Sequence, residues 1–433
     1  MKEYSLVIRN ARFPGKDEPM DLAVDGDWIS EIAERISRNG KREIDATGLL
    51  LLPSGYDCHV HFNDPGRTNW ETLRHGSRAL AKGGLTLFSD MPLNSIPYVT
   101  DLRALQKKIE TASERSVTDY SFWGGLTPET RTNMEELVEG GVIGLKAFYC
   151  HSGLDDFPPC DDETLLYALE KTKGLDTILM VHAEDPDILE RDRQSILHDD
   201  VSQRAYFASR GEEAEIESVR TLSQMALETG GKLHLAHISS DRSVEVILAY
   251  QQRGADISLE TVPQYLQFNQ DEALTFGGLS KCAPPIREEA TREALVQSVL
   301  RGEIPILASD HSPSEELLKQ GEDYFKIWGG ISGCQSTLYF LMTTLVERYG
   351  MPLSEALHLI TVHPLERFGL SARRGDLKIG CEANMVLYDP LRAYKLHKEA
   401  LEYKNKISPY VDMTFQGEVL MTFLRGIPIY DHG

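Results

Sequence analysis

Short apolar runs alternate with longer amphipathic segments through the central part of the chain. Eight of the runs have the length and apolar content of buried strands: "LLLPSGYDCHVH", "GGLTLFSDM", "DYSFWGGL", "GVIGLKAFY", "DTILMVHAE", "KLHLAHIS", "ADISLET" and "EIPILASDH". Between most of them lie segments of helical period, such as "DLRALQKKIETASER" and "DRSVEVILAYQQRG". This alternation predicts an α/β fold whose parallel sheet closes into a (β/α)8 TIM barrel. The alternative, an open doubly wound sheet, usually has fewer strands, and no G-x-G-x-x-G motif follows the first run.

Both ends of the chain have the pattern of β-structure instead. Residues 1–50 contain "YSLVIRNARF" and "DLAVDGDWISEI", and residues 371–433 contain "GCEANMVLYDP" and "FQGEVLMTFLRGIPIY". We therefore predict that both termini combine into one small β-sandwich, beside a barrel that spans residues 51–370. The polar stretch at 391–410, "LRAYKLHKEALEYKNKISPY", is predicted to be a solvated loop.

Composition narrows the classes of partner and the compartment. The 433 residues are 41% hydrophobic and 26% charged, which is typical of a soluble globular protein. The formal net charge of −22 argues against a nucleic-acid partner and against an anionic membrane surface. The start of the chain lacks the apolar run of a signal peptide, and no stretch approaches the roughly 18 apolar residues of a membrane span. Six scattered cysteines without a C-x-x-C pair predict reduced thiols in a cytoplasmic protein.

Chemically distinctive side chains close five of the predicted strands. They are His59 and His61, Lys146, His182, His237 and Asp310. Residues i and i+2 of a strand project from the same face, so the two histidines of the H-x-H pair can point at one spot. Each residue alone is more often structural, but the ends of parallel barrel strands all meet at one rim. Imidazole and carboxylate together suit zinc and similar divalent ions, so the sequence predicts a metal site there.

The ordered set of H-x-H, Lys, His, His and Asp, flanked by a divided β-sandwich, resembles the cyclic-amidohydrolase branch of the amidohydrolase superfamily. That branch contains dihydroorotases, hydantoinases (dihydropyrimidinases) and allantoinases. The stretches "DCHVHFNDPGRTNWE", "DMPLNSIP", "LKAFYCHSG" and "WGGISG" are similar to those of allantoinases. Dihydroorotases have an arginine at the position of Asn63. Hydantoinases have a tyrosine at the position of His151 and an asparagine at that of Gly329, and both differences favour allantoinase.

The resemblance implies a metal-dependent hydrolase that opens allantoin to allantoate by attack of a hydroxide bridging two divalent ions. The ions would be zinc, with cobalt or manganese as alternatives. His59, His61 and Asp310 would hold one ion, His182 and His237 the other, and Lys146 would bridge them as a carbamate formed from carbon dioxide. Asp310 would also be the catalytic acid–base. The predicted substrate contacts are Asn63, Cys282, Gly329 and Gly330, and the predicted partners are a small cyclic ureide and further copies of the chain in a homotetramer.

Three other functions are weighed against this hypothesis. The nearest is a hydantoinase, dihydropyrimidinase or dihydroorotase that acts on a related cyclic ureide. A non-catalytic relative is disfavoured because such proteins usually lose metal ligands, and here all six positions are filled. A sugar-cleaving barrel would need two carboxylates facing each other across a cleft, whereas this rim offers one acid among histidines.

Overall fold

The computed structural model describes residues 3–433. In these residues the strands are β1 (Tyr4–Ala11), β2 (Met20–Asp25), β3 (Trp28–Ala33), β4 (Gly40–Asp45), β5 (Leu50–Pro53), β6 (Gly55–Val60), β7 (Leu85–Asp90), β8 (Asp119–Phe122), β9 (Gly124–Gly125), β10 (Leu145–Phe148), β11 (Leu179–His182), β12 (Leu233–Leu235), β13 (Ile257–Thr261), β14 (Ile306–Leu307), β15 (Met385–Lys395), β16 (Thr414–Leu424) and β17 (Ile427–Asp431). The α-helices are α1 (Leu73–Lys82), α2 (Leu102–Arg115), α3 (Met134–Glu139), α4 (Asp162–Leu175), α5 (Pro186–Ser195), α6 (Gln203–Ala208), α7 (Glu212–Thr229), α8 (Asp241–Gln252), α9 (Pro263–Gln267), α10 (Gln270–Phe276), α11 (Glu289–Leu300), α12 (Thr337–Phe340), α13 (Leu353–His358) and α14 (Val362–Arg367). Short 3₁₀ turns lie at Pro128–Asn133, Gly277–Ser280, Glu316–Lys319, Cys334–Ser336 and Lys398–Ala400, and Leu341–Arg348 is π-helical.

Strands β6 to β14 form the predicted barrel. One sheet runs β6-β7-β8 and a second runs β9-β10-β11-β12-β13-β14, and every neighbouring pair in them is parallel. Since β8 and β9 are separated only by Trp123, they are two halves of one strand position. On the other side, Val60 forms a parallel bridge with His311, and the His61 N–H donates to the His311 carbonyl at 2.7 Å. The closed (β/α)8 barrel is therefore confirmed.

Local sequence explains why the elements begin and lie where they do. Strands β6, β7, β10, β11 and β13 are buried at every position, as expected for parallel strands covered by helices on their outer face. Helix α1 begins where the Thr72 side chain accepts the His75 N–H, and α2 begins where Asp101 accepts the Ala104 N–H. Because the barrel strands are all parallel, the loops that connect the carboxyl end of each strand to the next helix lie at the same end of the barrel.

Two four-stranded sheets form the predicted sandwich. One sheet has the order β3-β2-β1-β4 and the other the order β17-β16-β15-β5, so the second combines an N-terminal strand with three C-terminal ones. Fully buried side chains such as Ile8, Leu22, Leu51, Met385 and Phe423 fill the space between them. The sandwich built from both termini is confirmed. Because β5 pairs antiparallel with β15, the chain leaves the sandwich just after residue 53, slightly beyond the expected boundary at 51.

The prediction of a solvated loop at residues 391–410 is wrong. Leu396, Leu401 and Tyr403 in this segment are at most 1% exposed. The Lys404 N–H donates to the carboxylate of Glu71, which lies just before α1. The apolar residues of the segment have no regular period and stand between lysines, so only their packing on the barrel loops reveals that they are buried.

All six cysteines are free thiols, and all but Cys381 are buried, which agrees with the absence of a disulfide framework. Across residues 3–433, no helix combines the length and the apolar character needed to cross a membrane. The cytoplasmic location stays a prediction.

Candidate metal centre

The structure brings the six predicted side chains together at one cavity. His59, His61, Lys146, His182, His237 and Asp310 all line a space of about 420 Å³ at the mouth of the barrel. They come from five strands that are far apart in the chain, and each lies at or just beyond a strand's carboxyl end, except Lys146, which lies within β10. Neighbouring imidazole rings are close, with centroids 5.4 Å apart for His59 and His61 and 4.6 Å apart for His182 and His237.

Hydrogen bonds fix which nitrogens of the H-x-H pair face the cavity. Nδ1 of His59 lies 2.5 Å from the Glu260 carboxylate, and Nδ1 of His61 lies 2.8 Å from the Leu93 carbonyl oxygen. A carbonyl and an ionised carboxylate only accept, so in the neutral rings both Nδ1 atoms carry the hydrogen. Burial also lowers the pKa of His59, which favours its neutral form. Each Nε2 is then left with a lone pair.

Both lone pairs point at an anion. The Nε2 atoms of His59 and His61 lie 3.2 and 3.3 Å from the same Oδ1 of Asp310. Burial alone would raise the pKa of Asp310, and positive charge close to the carboxylate lowers it below its usual range, so a cation at this position keeps Asp310 ionised. Three acceptors without a hydrogen between them repel one another, and a cation among them removes that repulsion. The donor set therefore fits a divalent metal ion.

His182 and His237 form the other half of the site. Nδ1 of His182 lies 3.0 Å from Nε2 of His237, and burial lowers the pKa of both rings. Nε2 of His182 is 2.8 Å from the Glu184 carboxylate, so it serves as the donor there and leaves Nδ1 as the acceptor that faces the cavity. Glu184 is in turn paired with the Arg210 guanidinium, which neutralises that carboxylate without a metal.

Lys146 is a buried amine with no partner. Its side chain is 1% exposed, and Nζ has no hydrogen-bond acceptor within the described residues. Burial lowers the pKa of Lys146 to about 8, because an ammonium loses its hydration there. An isolated buried ammonium is costly, so this position is better suited to a modified, anionic lysine than to a free cation.

The backbone at the site is held in uncommon conformations. His237 has a φ of 37° and Asp310 a φ of 43°, both in the left-handed region. Non-glycine residues adopt such angles rarely, at a cost on the order of 1–3 kcal/mol, and they do so mainly at functional sites. At both positions the strained backbone carries the side chain that faces the cavity.

Sequence reasoning missed Glu260, the carboxylate that orients the first histidine. It lies in β13, is fully buried, and contacts His59 on one side and His234 Nε2 on the other, at 3.2 Å. His234 also lies 2.7 Å from the Ser258 hydroxyl through Nδ1, and it is not among the residues that line the cavity. The available signal was a glutamate inside an otherwise apolar strand, "ADISLET", where burial without a partner would be costly.

Replacing Glu260 with Gln is expected to weaken metal binding about 10- to 100-fold, because His59 would lose the anion that fixes its tautomer and basicity. The measurement is competition between the protein and a chelator of known affinity. The matched control is Glu215→Gln, a second buried glutamate whose partners are Ser239, Ser240 and Ser243 rather than a histidine of the site. That control should change thermal stability but not metal affinity, and equal metal affinity in both variants would contradict the role of Glu260.

Three of the four predicted substrate-contact residues lie on the cavity wall. Cys282, Gly329 and Gly330 line the cavity, whereas Asn63 is not among its lining residues. Asn63 is 1% exposed, and its amide donates to the Pro313 carbonyl. Its oxygen accepts from Asn94, which does line the cavity. Asn63 has a φ of 62°, and it lies behind the cavity wall. Asn94 lies between Asn63 and the cavity.

Comparison with known proteins agrees with the fold. A model of the amidohydrolase family matches residues 50–428. The allantoinase of Desulfitobacterium hafniense strain Y51 is 41% identical over 436 residues, covering 100% of this chain and 97% of that protein. The allantoinase of Rubrobacter xylanophilus is 39% identical, covering 100% and 96%. The solved structure of L-hydantoinase (dihydropyrimidinase) from Arthrobacter aurescens has a TM-score of 0.95 at 26% identity, covering 99% of this chain and 97% of that one.

This chain belongs to the amidohydrolase family. The resemblance inferred from the order of the strand-end residues is thus confirmed, and membership of the family implies a centre of two divalent metal ions. The proteins similar over its whole length include allantoinases, while the similar solved structures include hydantoinases.

Proposed function

We propose that the protein hydrolyses the cyclic amide bond of allantoin to give allantoate. The observation that carries the proposal is the set of three facing acceptors, His59 Nε2, His61 Nε2 and Asp310 Oδ1, in a cavity that also holds an unpartnered lysine. Allantoinases at 38–41% identity over nearly the whole chain support this substrate. Hydrolysis adds one water across the ring C–N bond, so the single product carries a carboxylate and the terminal NH2 of a ureido group.

His59, His61 and Asp310 would hold one ion, and His182 and His237 the other. Lys146 lies at the same cavity, and its unprotonated Nζ would add to carbon dioxide, forming a C–N bond and releasing one proton to solvent. The resulting carbamate would turn a buried amine into two anionic oxygens between the two ligand groups. Zinc suits imidazole with carboxylate best, and cobalt and manganese are the alternatives.

When bound, the two ions would polarise the ring carbonyl and make water acidic enough to react at neutral pH. Asp310 would take the proton from the attacking water and deliver it to the ring nitrogen as the C–N bond breaks. Its position between the two imidazoles of the H-x-H pair holds the carboxylate at the mouth of the barrel. Gly329, Gly330 and the backbone at Cys282 would orient the ring from the opposite wall.

The fold itself does not separate allantoin from hydantoin, because a hydantoinase has nearly the same structure. The side chains at the mouth favour allantoin. His151 and Gly329 line the cavity at positions where the resemblance predicts tyrosine and asparagine for a hydantoinase, and Asn94 adds an amide. Without the two bulkier side chains, the cavity has room for the ureido group that allantoin carries on its ring.

We expect kcat/KM for allantoin to exceed that for hydantoin, dihydrouracil and dihydroorotate by at least about ten-fold. This factor corresponds to one polar contact that allantoin makes and the other compounds do not. The assay uses the purified protein supplied separately with zinc, cobalt or manganese, and follows ring opening of each compound. A higher kcat/KM for hydantoin or dihydrouracil than for allantoin would overturn the substrate assignment. Failure of all four with every metal would overturn the hydrolase itself.

The proposed enzyme is a cytoplasmic homotetramer. Each chain has a barrel at residues 51–370 and one β-sandwich built from residues 1–50 and 371–433. The tetramer and the location rest on the resemblance and on the cysteine pattern. The net charge of −22 supports the absence of a nucleic-acid partner.

A further inference from the structure

Two buried lysines contact one wall of the cavity: Lys281 lines the cavity, and Lys319 is not among its lining residues. Lys281 is 4% exposed and Lys319 is 7% exposed. Within residues 3–433 neither ammonium has a carboxylate within 4 Å to pair with, although Lys281 lies over the rings of Tyr206 and Tyr324. Burial lowers the pKa of Lys319 to about 7 and that of Lys281 to about 8. Burial removes the hydration of each lysine ammonium, so each position needs hydrogen-bond acceptors that offset this loss.

The acceptors are backbone carbonyls of a single cavity-wall segment, residues 325–330. Lys281 Nζ donates to the Phe325 and Ile327 carbonyls at 2.9 and 2.5 Å. Lys319 Nζ donates to the Trp328 carbonyl at 2.9 Å and to the Gly330 carbonyl. All six residues of the segment line the cavity, whereas Lys319 does not. The two lysines therefore hold the segment by its carbonyl oxygens, Lys281 from within the cavity lining and Lys319 from outside it.

This arrangement fixes the direction of one peptide plane. In a trans peptide, the carbonyl of one residue and the N–H of the next point in opposite directions. Because the Trp328 carbonyl points back at Lys319, the Gly329 N–H points the other way, toward the cavity. The Gly330 N–H is not available there, since it donates to the Lys281 carbonyl at 2.7 Å. The segment thus presents the Gly329 N–H at a position without a side chain.

We propose that Lys319, assisted by Lys281, is a positioning residue that aims the Gly329 N–H at a carbonyl oxygen of the substrate. The assignment rests on the proposed function for the identity of that substrate. Lys319 touches neither the substrate nor the proposed metal ligands, and it acts through the peptide plane between Trp328 and Gly329. A charged donor behind the carbonyl makes the plane rigid, so the N–H does not have to be oriented anew in each turnover.

The test compares Lys319→Met, which keeps the length of the side chain but removes the donor, with Lys319→Gln, which keeps an N–H donor. For Lys319→Met we expect KM for allantoin to rise about ten-fold, the value of one directed hydrogen bond, with kcat reduced less than about three-fold. Lys319→Gln should restore KM to within about three-fold of the wild type. Lys281→Met is a second variant for the same segment in case Lys319→Met does not fold.

The matched control is Lys82→Met. Lys82 also donates to a backbone carbonyl, that of Ala400 at 2.7 Å, but it lies away from the cavity. A substitution that only destabilises the fold lowers the folded fraction and hence the apparent kcat, but it leaves KM unchanged. We expect this result for Lys82→Met. A KM for Lys319→Met equal to the wild-type value would overturn the proposal.

Hydrogen–deuterium exchange gives a readout that does not depend on the substrate. In Lys319→Met the amides of residues 328–331 should exchange faster than in the wild type, whereas Lys82→Met should leave them unchanged. Unchanged exchange at these amides would overturn the positioning role even if allantoin is hydrolysed. Faster exchange in a protein that opens no cyclic ureide would instead support the role of Lys319 and reject the proposed function.

Discussion

Replacing Asp310 with asparagine is expected to lower kcat for allantoin by about 10²- to 10⁴-fold, the usual contribution of a positioned acid–base group. Asparagine keeps an oxygen that faces the Nε2 atoms of His59 and His61, where Asp310 Oδ1 lies at 3.2 and 3.3 Å, so metal content should fall little. It cannot take a proton at neutral pH, so the transfer from water to the ring nitrogen is lost. The measurement is kcat together with metal content by elemental analysis.

The matched control for this change is Asp101→Asn. Asp101 caps α2 by accepting the Ala104 N–H, and asparagine caps helices about as well as aspartate does. Its kcat should equal that of the wild type. If Asp310→Asn retains wild-type turnover with metal bound, another group moves the proton, and the role assigned to Asp310 is wrong.

Replacing Lys146 with alanine is expected to reduce activity to the level of the metal-free protein. The physical reason is that the variant has no amine to form the carbamate, so the two ligand groups lose the anion between them. Metal content should fall below that of the wild type, and the folded wild-type protein kept under carbon dioxide should carry the added mass of carbon dioxide in native mass spectrometry. Added acetate should restore part of the activity, because a carboxylate fits the space vacated by the side chain.

Lys82→Ala serves as the control, since Lys82 is far from the cavity and donates to a carbonyl. It should keep the wild-type metal content and show no response to acetate. Wild-type metal content and turnover in Lys146→Ala, or an unmodified mass of the folded active enzyme under carbon dioxide, would contradict the carbamate.

These residues could be found from sequence because a β-strand leaves little freedom. His59 and His61 share a face because side chains alternate along a strand, whatever surrounds them. Lys146, His182, His237 and Asp310 end up beside them because the carboxyl ends of parallel barrel strands all open at the same mouth. Once the alternation of strands and helices is recognised, the convergence follows without any knowledge of distances.

Other features depend on contacts between distant parts of the chain. Glu260 stands 201 positions from His59, and no local pattern links a glutamate in one strand to a histidine in another. The polar segment at 391–410 was predicted to be a solvated loop, yet Leu396, Leu401 and Tyr403 within it are buried. Asn63 was predicted to contact the substrate, but loop backbone angles, which follow no repeat, place Asn94 rather than Asn63 at the cavity.

The amino-acid sequence by itself determined the barrel, the sandwich made from both termini and the six side chains at the mouth, because each follows from a repeating backbone geometry. Only the tertiary structure decided which groups orient His59, His61 and His182, that Lys146 has no hydrogen-bond acceptor among the described residues, and that Lys281 and Lys319 donate to carbonyls of the wall segment around Gly329. Those features depend on how irregular loops pack, and packing depends on the whole chain at once rather than on any stretch of it.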